Sequence, residues 1–293
     1  MNLWARVHLG LTNRARRLLP NRRVRRFVQG VTLTLPWSHR LPDYAKTYPG
    51  YGQNLVALAT VIGETEAPAR FSIIDVGANV GDSALQILNA VDVDVVCVDG
   101  DPHWLPYLRE NTARDPRVHI VHAMLLPSLQ DGPKRFTTVR ANGTTRFVPG
   151  GETEMGSTTT ADSLRASLPD LAPMRLIKSD TDGFDVRLLP GLARAYADTV
   201  PVLFFEFDPP MTRETGDPRP ERIWGELIVL GYERCVVWDN FGKLLGSWST
   251  VELPDVAAVL EHSLEERGYH YWDVAAIHGN DPHNIAIEQA FCT

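Results

Sequence analysis

The chain has 293 residues, 44% of them hydrophobic, with a formal net charge of −7 and three cysteines. That much apolar material builds one large α/β domain with extensions, or two small ones. Cys97, Cys235 and Cys292 are too few and too scattered for a disulfide framework or a cysteine-built metal cluster. No run of eighteen apolar residues is present to suggest a transmembrane helix.

The charge is unevenly spread. Residues 1–42 hold nine Arg with no Lys, Asp or Glu, so this segment carries +9 and the remainder −16. The pairs Arg16-Arg17, Arg22-Arg23 and Arg25-Arg26 lie among Leu3, Trp4, Val7, Leu9, Leu11, Leu18 and Leu19. Two readings fit: a basic amphipathic arm that touches anionic lipid or a phosphorylated partner, or a solvated terminal helix. Neither a cleavable leader nor a long apolar core is evident, so a reduced, cytoplasmic setting is expected, with peripheral contact at the inner membrane surface through the arginines. Residues 1–30 read as helical pieces broken by Pro20. Residues 31–50 are rich in Pro and aromatics and read as an ordered loop; here Trp37, Tyr44 and Tyr48, with Tyr51 beyond, can stack on a sugar or simply pack a lid.

Beyond this, helix and strand patterns alternate. Asn54–Ile62 is apolar at helical spacing. Strands are expected at Phe71–Val76, Val93–Val98, Val118–Val121, Met174–Lys178 and Val200–Phe205. Helices are expected at Ser83–Ala90, Trp104–Thr112, Ala161–Leu168, Val186–Ala197, Pro220–Leu230 and Val256–Glu265. Asn142-Gly143 signals a hairpin between Arg135–Val139 and Thr144–Val148. Tyr232–Trp238, Lys243–Trp248 and Tyr269–Ile277 add late strands. The alternation predicts a doubly wound, Rossmann-like and mostly parallel sheet with an antiparallel edge. Ligands of such sheets bind beyond the carboxyl ends of the strands.

The segment Ile73-Ile74-Asp75-Val76-Gly77-Ala78-Asn79-Val80-Gly81-Asp82 reads as strand, glycine turn and helix N-terminus. A dinucleotide fingerprint needs a glycine where Asn79 stands, and Asp75 would repel a pyrophosphate. The pattern suits a cationic, phosphate-free nucleoside cofactor, S-adenosylmethionine. Asp99, at the end of the second strand, is placed to accept hydrogen bonds from ribose hydroxyls. Asp101 is an alternative acceptor, or a helix cap.

Two further strands end in charge: Lys178-Ser179-Asp180-Thr181-Asp182 and Phe205-Glu206-Phe207-Asp208. Carboxylates there can act as general base for a hydroxyl, or hold Mg²⁺ at Asp180, Glu206 and Asp208. Asp180, Lys178 and Glu206 are the candidates for base or orienting group. Asp182 and Asp185 can equally be helix caps. His103 and His122 are weaker candidates for a base.

IIDVGANVGD (73–82), VVCVDGDP (95–102), the run from TTADSL to LIKSDTDGFDVRLLPGL (159–192) and VLFFEFDP (202–209) together resemble FkbM-type adenosylmethionine-dependent methyltransferases. Asp182 and Asp185 stand where that family carries Glu, and Asp99-Gly100 where it carries Glu-Pro. The resemblance implies a seven-strand class I methyltransferase fold over residues 51–293, with residues 1–50 as basic extension and lid. It implies O-methylation of a hydroxyl or carboxyl on a sugar, glycolipid, polyketide or other secondary metabolite. By position, Asp75, Gly77, Asn79 and Gly81 would hold the methionyl part, Asp99 the ribose, and Asp180 would lie near the methyl group.

Asp208-Pro209-Pro210-Met211 resembles the D-P-P-Y motif of nucleobase amino-methyltransferases, but Met211 cannot stack a flipped base as an aromatic residue does. The acidic body also opposes a phosphate backbone, so no nucleic-acid partner is expected. N-methylation of an amine and a non-catalytic adenosylmethionine-binding module are the remaining alternatives. The acceptor and the oligomeric state are not legible.

Overall fold

A computed structural model describes residues 16, 18–128, 135–150, 153–154, 156–257 and 271–292. The first elements differ from the sequence reading. β1 (Arg23–Val28) and β2 (Val31–Pro36) form an antiparallel hairpin, and α1 (Leu41–Thr47) follows where a loop is expected. Gln29 and Gly30 turn the hairpin with φ of 43° and 90°. Two positive values mark a type I′ turn, usually signalled by Asn-Gly, and Gln at the first position hides it. The hairpin exists because Val28, Val31, Leu33 and Leu35 bury one face against Leu41, Val80, Trp104 and Tyr107.

The chain then continues through α2 (Gln53–Glu66), β3 (Ser72–Val76), α3 (Asp82–Ala90), β4 (Asp94–Asp99), α4 (Leu105–Thr112), β5 (Val118–His122) and β6 (Met124–Leu126). A small sheet follows: the hairpin β7 (Arg135–Ala141) and β8 (Thr144–Pro149), with β9 (Thr153–Glu154) added to β7. β10 (Thr158–Thr160) pairs with β6 and leads into α5 (Ala161–Ala166), where the Thr160 side chain caps the helix. Next come β11 (Met174–Ser179), α6 (Asp185–Ala195), β12 (Val202–Phe207), α7 (Pro209–Glu214), α8 (Arg222–Val229), β13 (Tyr232–Asp239), β14 (Leu244–Ser249), β15 (Trp272–His278) and α9 (Asn284–Gln289). The helix expected over Val256–Glu265 lies almost wholly outside the described residues.

The main sheet runs β14-β13-β15-β12-β11-β3-β4-β5. It has eight strands rather than seven, because β14 hairpins back onto β13 as an added edge. β12, β11, β3, β4 and β5 pair in parallel, and β15 lies antiparallel between β12 and β13. Successive strand residues face opposite sides. Ile74, Val96, Ile177 and Leu203 join one core cluster, whereas Ile73, Val95, Leu176 and Val202 join the other. Both faces are covered, which is why these strands read as unbroken apolar runs. Strand order reverses at β3, with β4 and β5 on one side and β11 and β12 on the other. The crevice beyond the strand ends opens at that point.

Candidate functional site

One cavity lies at this switch point. It is floored by Gly77, Asn79 and Asp99 after β3 and β4, and walled by Lys178, Asp180 and Glu206 from β11 and β12. Gly77, Asn79 and Gly81 take φ of 77°, 50° and 83°. A Cβ on Gly77 would overlap the Asp180 carbonyl oxygen, so the turn after β3 and the end of β11 meet backbone to backbone. Gly77 and Ala78 both donate their N–H to the Val98 carbonyl, at 2.8 and 3.2 Å, which ties the turn to β4. Gly81 itself serves packing. A Cβ there would lie 2.9 Å from Leu108, between α3 and α4.

Lys178 joins the two strand ends. Its ammonium lies 2.8 Å from Asp75 Oδ1 and 3.4 Å from Asp180 Oδ2, and donates to the Gly77 carbonyl at 3.2 Å. Burial would lower its pKa, but Asp75 and Asp180 together push it well above the usual lysine value. The amine therefore stays protonated and has no lone pair with which to accept a proton. Of the two roles open to Lys178, this geometry suits the orienting one. Asp75 is 1% exposed and does not line the cavity. A place for it in direct contact with a ligand ammonium does not match this position; it acts from beneath the floor, through Lys178.

Asp99 and Asp101 are also distinct. Asp99 accepts the Asn79 N–H at 2.7 Å and the Asp101 N–H at 2.8 Å, one on each oxygen, and lines the cavity. Burial pushes its pKa up to about 6, against the pull of those two backbone donors. Asp101 also borders the cavity, but its carboxylate is consumed by structure. Arg140 of β7 grips it at 2.8 and 2.7 Å, Thr145 donates to it, and the His103 N–H caps onto it at 2.8 Å. Of the two, Asp99 keeps the simpler set of partners and stands at the strand end.

Asp101 thereby anchors the β7–β8 hairpin, whose tip covers the glycine turn. Asn79 Nδ2 donates to the Gly143 carbonyl at 2.8 Å, and the Arg40 N–H donates to the Asn142 carbonyl at 3.0 Å. A Cβ on Gly143 would come within 2.6 Å of the His39 ring. Burial lowers the His39 pKa to about 4, so this imidazole is neutral where it roofs the cavity. Gln29, Leu41 and Tyr44 continue that wall. His103 and His122 do not line the cavity; His103 packs edge-on against Trp104.

The far wall is acidic. Asp82, Asp180, Asp182, Glu206 and Asp273 line it with Asn54, Tyr51 and Tyr271. Glu206 and Asp273 face each other across the β12–β15 register, and Asn54 Nδ2 donates to Asp273 at 2.7 Å. Burial, then Asp180 and Asp273, raise the Glu206 pKa well above the carboxylate range. Burial raises Asp182 and Asp273 to about 7 and Asp82 to about 6. Asp273, Tyr271, Asp82 and Asn54 were not singled out from the sequence. The carboxylates of Asp185 and Asp208 are committed elsewhere. Asp185 accepts from Ser179 Oγ at 2.6 Å and from Thr181, and Asp208 caps α7 by accepting the Met211 N–H at 2.8 Å. Asp208 also lies outside the cavity lining, so the expected Mg²⁺ set of Asp180, Glu206 and Asp208 is not assembled. Among the described residues no group of three His, Cys, Asp or Glu side chains is arranged to hold a metal.

Among the described residues, seven carboxylates thus line the cavity against one ammonium, Lys178. This has a consequence for stability. Asp82, Asp99, Asp182 and Asp273 bind protons more readily folded than unfolded, because their folded values exceed 3.8. The folded state therefore holds more protons between about pH 4 and pH 7, and stability falls as pH rises through that window. Thermal unfolding of the free protein is expected to show a lower midpoint at pH 7.5 than at pH 5.5. A flat or rising profile would contradict the crowding of carboxylates.

No protein-family model matches the chain, and no curated protein is similar to it at a meaningful level. Among solved structures, the chain is similar to cofactor-bound Rv0187 from MTB, with 14% identity over 78% of this chain and 81% of that one and a TM-score of 0.43. It is similar to an O-methyltransferase from Bacillus cereus in complex with SAH, with 15% identity over 77% and 80% and a TM-score of 0.42. A putative O-methyltransferase from Klebsiella pneumoniae gives 13% identity over 81% and 90% and a TM-score of 0.41. At these values the likeness adds nothing to the doubly wound architecture that the strand order itself displays.

Proposed function

We propose that the protein is an S-adenosylmethionine-dependent methyltransferase that acts on a hydroxyl, or a carboxyl, of a sugar, glycolipid, polyketide or related small acceptor. The observation that carries this reading is the charge of the cavity. Asp101 is neutralised by Arg140 and burial favours the protonated form of Glu206, but Asp82, Asp99, Asp180, Asp182 and Asp273 against the Lys178 ammonium still oppose a pyrophosphate and favour a cofactor with a sulfonium and an ammonium. Asp99 would accept the ribose hydroxyls, and the apolar side chains of Met124, Leu125 and Phe147 offer a surface for a purine. With Asp75 held by Lys178, Asp180 and Asp182 are the carboxylates left to face an ammonium near the turn.

The bound cofactor supplies an activated methyl group, so the chain's own task is to place the acceptor oxygen in line and remove its proton. The Asp180 side chain is 45% exposed, lies beside the Lys178 ammonium and lines the cavity, which suits it to take that proton. Glu206, whose pKa burial and the neighbouring Asp180 and Asp273 raise, is the carboxyl suited to donate a hydrogen bond to the acceptor. Tyr51 and Tyr271 offer faces on which a sugar ring can stack.

Calorimetric titration tests the reading. S-adenosylmethionine should bind and NADH should not. Asp99→Asn should weaken S-adenosylmethionine roughly 10- to 100-fold, the worth of hydrogen bonds to a charged acceptor. Asp180→Asn should cut methyl transfer to an accepted hydroxyl by about 10²- to 10⁴-fold while leaving cofactor affinity within a few-fold. Absence of S-adenosylmethionine binding by the wild-type protein would end the proposal.

A further inference from the structure

The outer side of the β1–β2 hairpin combines exposed apolar side chains with arginines. Phe27 is 75% exposed, and Leu18 and Leu19, just before the hairpin, are 80% and 53% exposed. Arg22 and Arg25 are exposed among them, and Arg26, which alternation turns to the side of its partner Leu33, is exposed as well and bends back at the strand edge to donate to the Arg25 carbonyl at 3.2 Å. Arg23 is balanced, pairing with Glu110 at 2.6 Å and lying over the Tyr107 ring. Arg25 and Arg26 have no carboxylate partner among the described residues, and Arg22 only lies 5.7 Å over the Trp37 ring. In a protein whose remaining body carries −16, uncompensated arginines collected beside bare apolar side chains are not explained by packing. The hairpin's folding accounts for its inner face alone, since Val28, Val31, Leu33 and Leu35 are the residues that enter the core.

We propose that this face docks on a membrane surface containing anionic lipid, with Arg22, Arg25 and Arg26 at the headgroups and Phe27, Leu18 and Leu19 entering the headgroup–acyl boundary. Cationic side chains interleaved with exposed Phe and Leu match such a boundary in both chemistries. A polyanion such as nucleic acid offers only the charge, and the strongly acidic body opposes wrapping by a long phosphate chain. Docking here has a geometric consequence. Gln29, at the turn of the same hairpin, lines the cavity and donates to the Tyr51 carbonyl at 2.7 Å. The membrane would thus lie against an element of the cavity wall. The docking proposal does not depend on what the cavity binds.

The test is sedimentation of the full chain with phosphatidylcholine vesicles, with and without phosphatidylglycerol, at physiological salt. The wild-type protein should partition onto the phosphatidylglycerol vesicles and not onto phosphatidylcholine alone. Arg25→Glu with Arg26→Glu should lower the partition coefficient at least about thirtyfold, given the worth of each arginine at an anionic surface. Phe27→Ser should lower it about tenfold, from the loss of a buried aromatic ring. Both variants change exposed side chains, so thermal unfolding should match the wild type, and a matching melt makes a loss of binding attributable to the surface. No partition of the wild type onto anionic vesicles would overturn the proposal, and so would partition that survives charge reversal. Binding to duplex DNA as strong as to vesicles, and indifferent to Phe27, would reassign the face to a polyanion.

Discussion

Gly77→Ala is expected to abolish measurable S-adenosylmethionine binding and to destabilise the fold by about 2–4 kcal/mol, the sum of a left-handed alanine and a forced overlap. The comparison that isolates the overlap is Gly150→Ala. Gly150 has φ of 95°, so alanine there meets the same conformational cost, but none of the described residues lies within 4 Å of its added Cβ. That variant should lose only about 1 kcal/mol. At Gly77 the methyl group collides with the Asp180 carbonyl, and relief requires the ends of β3 and β11 to part. Such a movement strains the hydrogen bond from the Asp180 N–H to the Val76 carbonyl, 3.1 Å, and displaces the floor of the cavity. Denaturant unfolding and calorimetry measure the two effects separately. Equal losses for the two alanines would show that the backbone contact is soft and that the turn is not a rigid cradle.

This contact also marks how far the sequence can be read. The glycine turn, the parallel strands and the carboxylates at Asp99, Asp180 and Glu206 were legible because each follows from a local rule: an apolar run, a glycine, a charge at a strand's carboxyl end. Asp273 was not. It lies near the amino end of β15, and only because β15 runs antiparallel does that end reach the same crevice. The rule had to be inverted for one strand, and nothing local says which. Lys178 and Asp75 were legible as charges but not as partners, since their pairing depends on β11 lying beside β3 with Lys178 opposite Asp75. Arg140 and Thr145 commit Asp101 from a hairpin some forty residues away in sequence, so the choice between Asp99 and Asp101 could not be made before the hairpin was placed. The β1–β2 hairpin was missed for a different reason. Arginines break the apolar pattern of β1 and Gln29 hides the turn before Gly30, so the alternation of Val31, Leu33 and Leu35 with Thr32 and Thr34 in β2 had no visible partner strand.

Lys178→Met should be the second most damaging substitution, and its rescue is more informative than its loss. The side chains of Lys178 and Asp75 are 5% and 1% exposed. Removing one member of a buried ion pair strands the other charge, at a cost of about 3–5 kcal/mol. Lys178→Met with Asp75→Asn removes both charges with little change of volume, and replacing a whole buried pair is often neutral or stabilising. The double variant is therefore expected to recover most of the stability lost by the single one. It should not recover turnover, because Asp180 still lacks the ammonium at 3.4 Å that orients its carboxylate. Stability that returns while activity does not would separate the two tasks of Lys178: neutralising Asp75 beneath the floor and holding Asp180 above it. If the single variant loses less than about 1 kcal/mol, the pair is not the strut that joins β3 to β11. If the double variant regains full turnover, Asp180 works without Lys178, and the lysine's place in the site is structural alone.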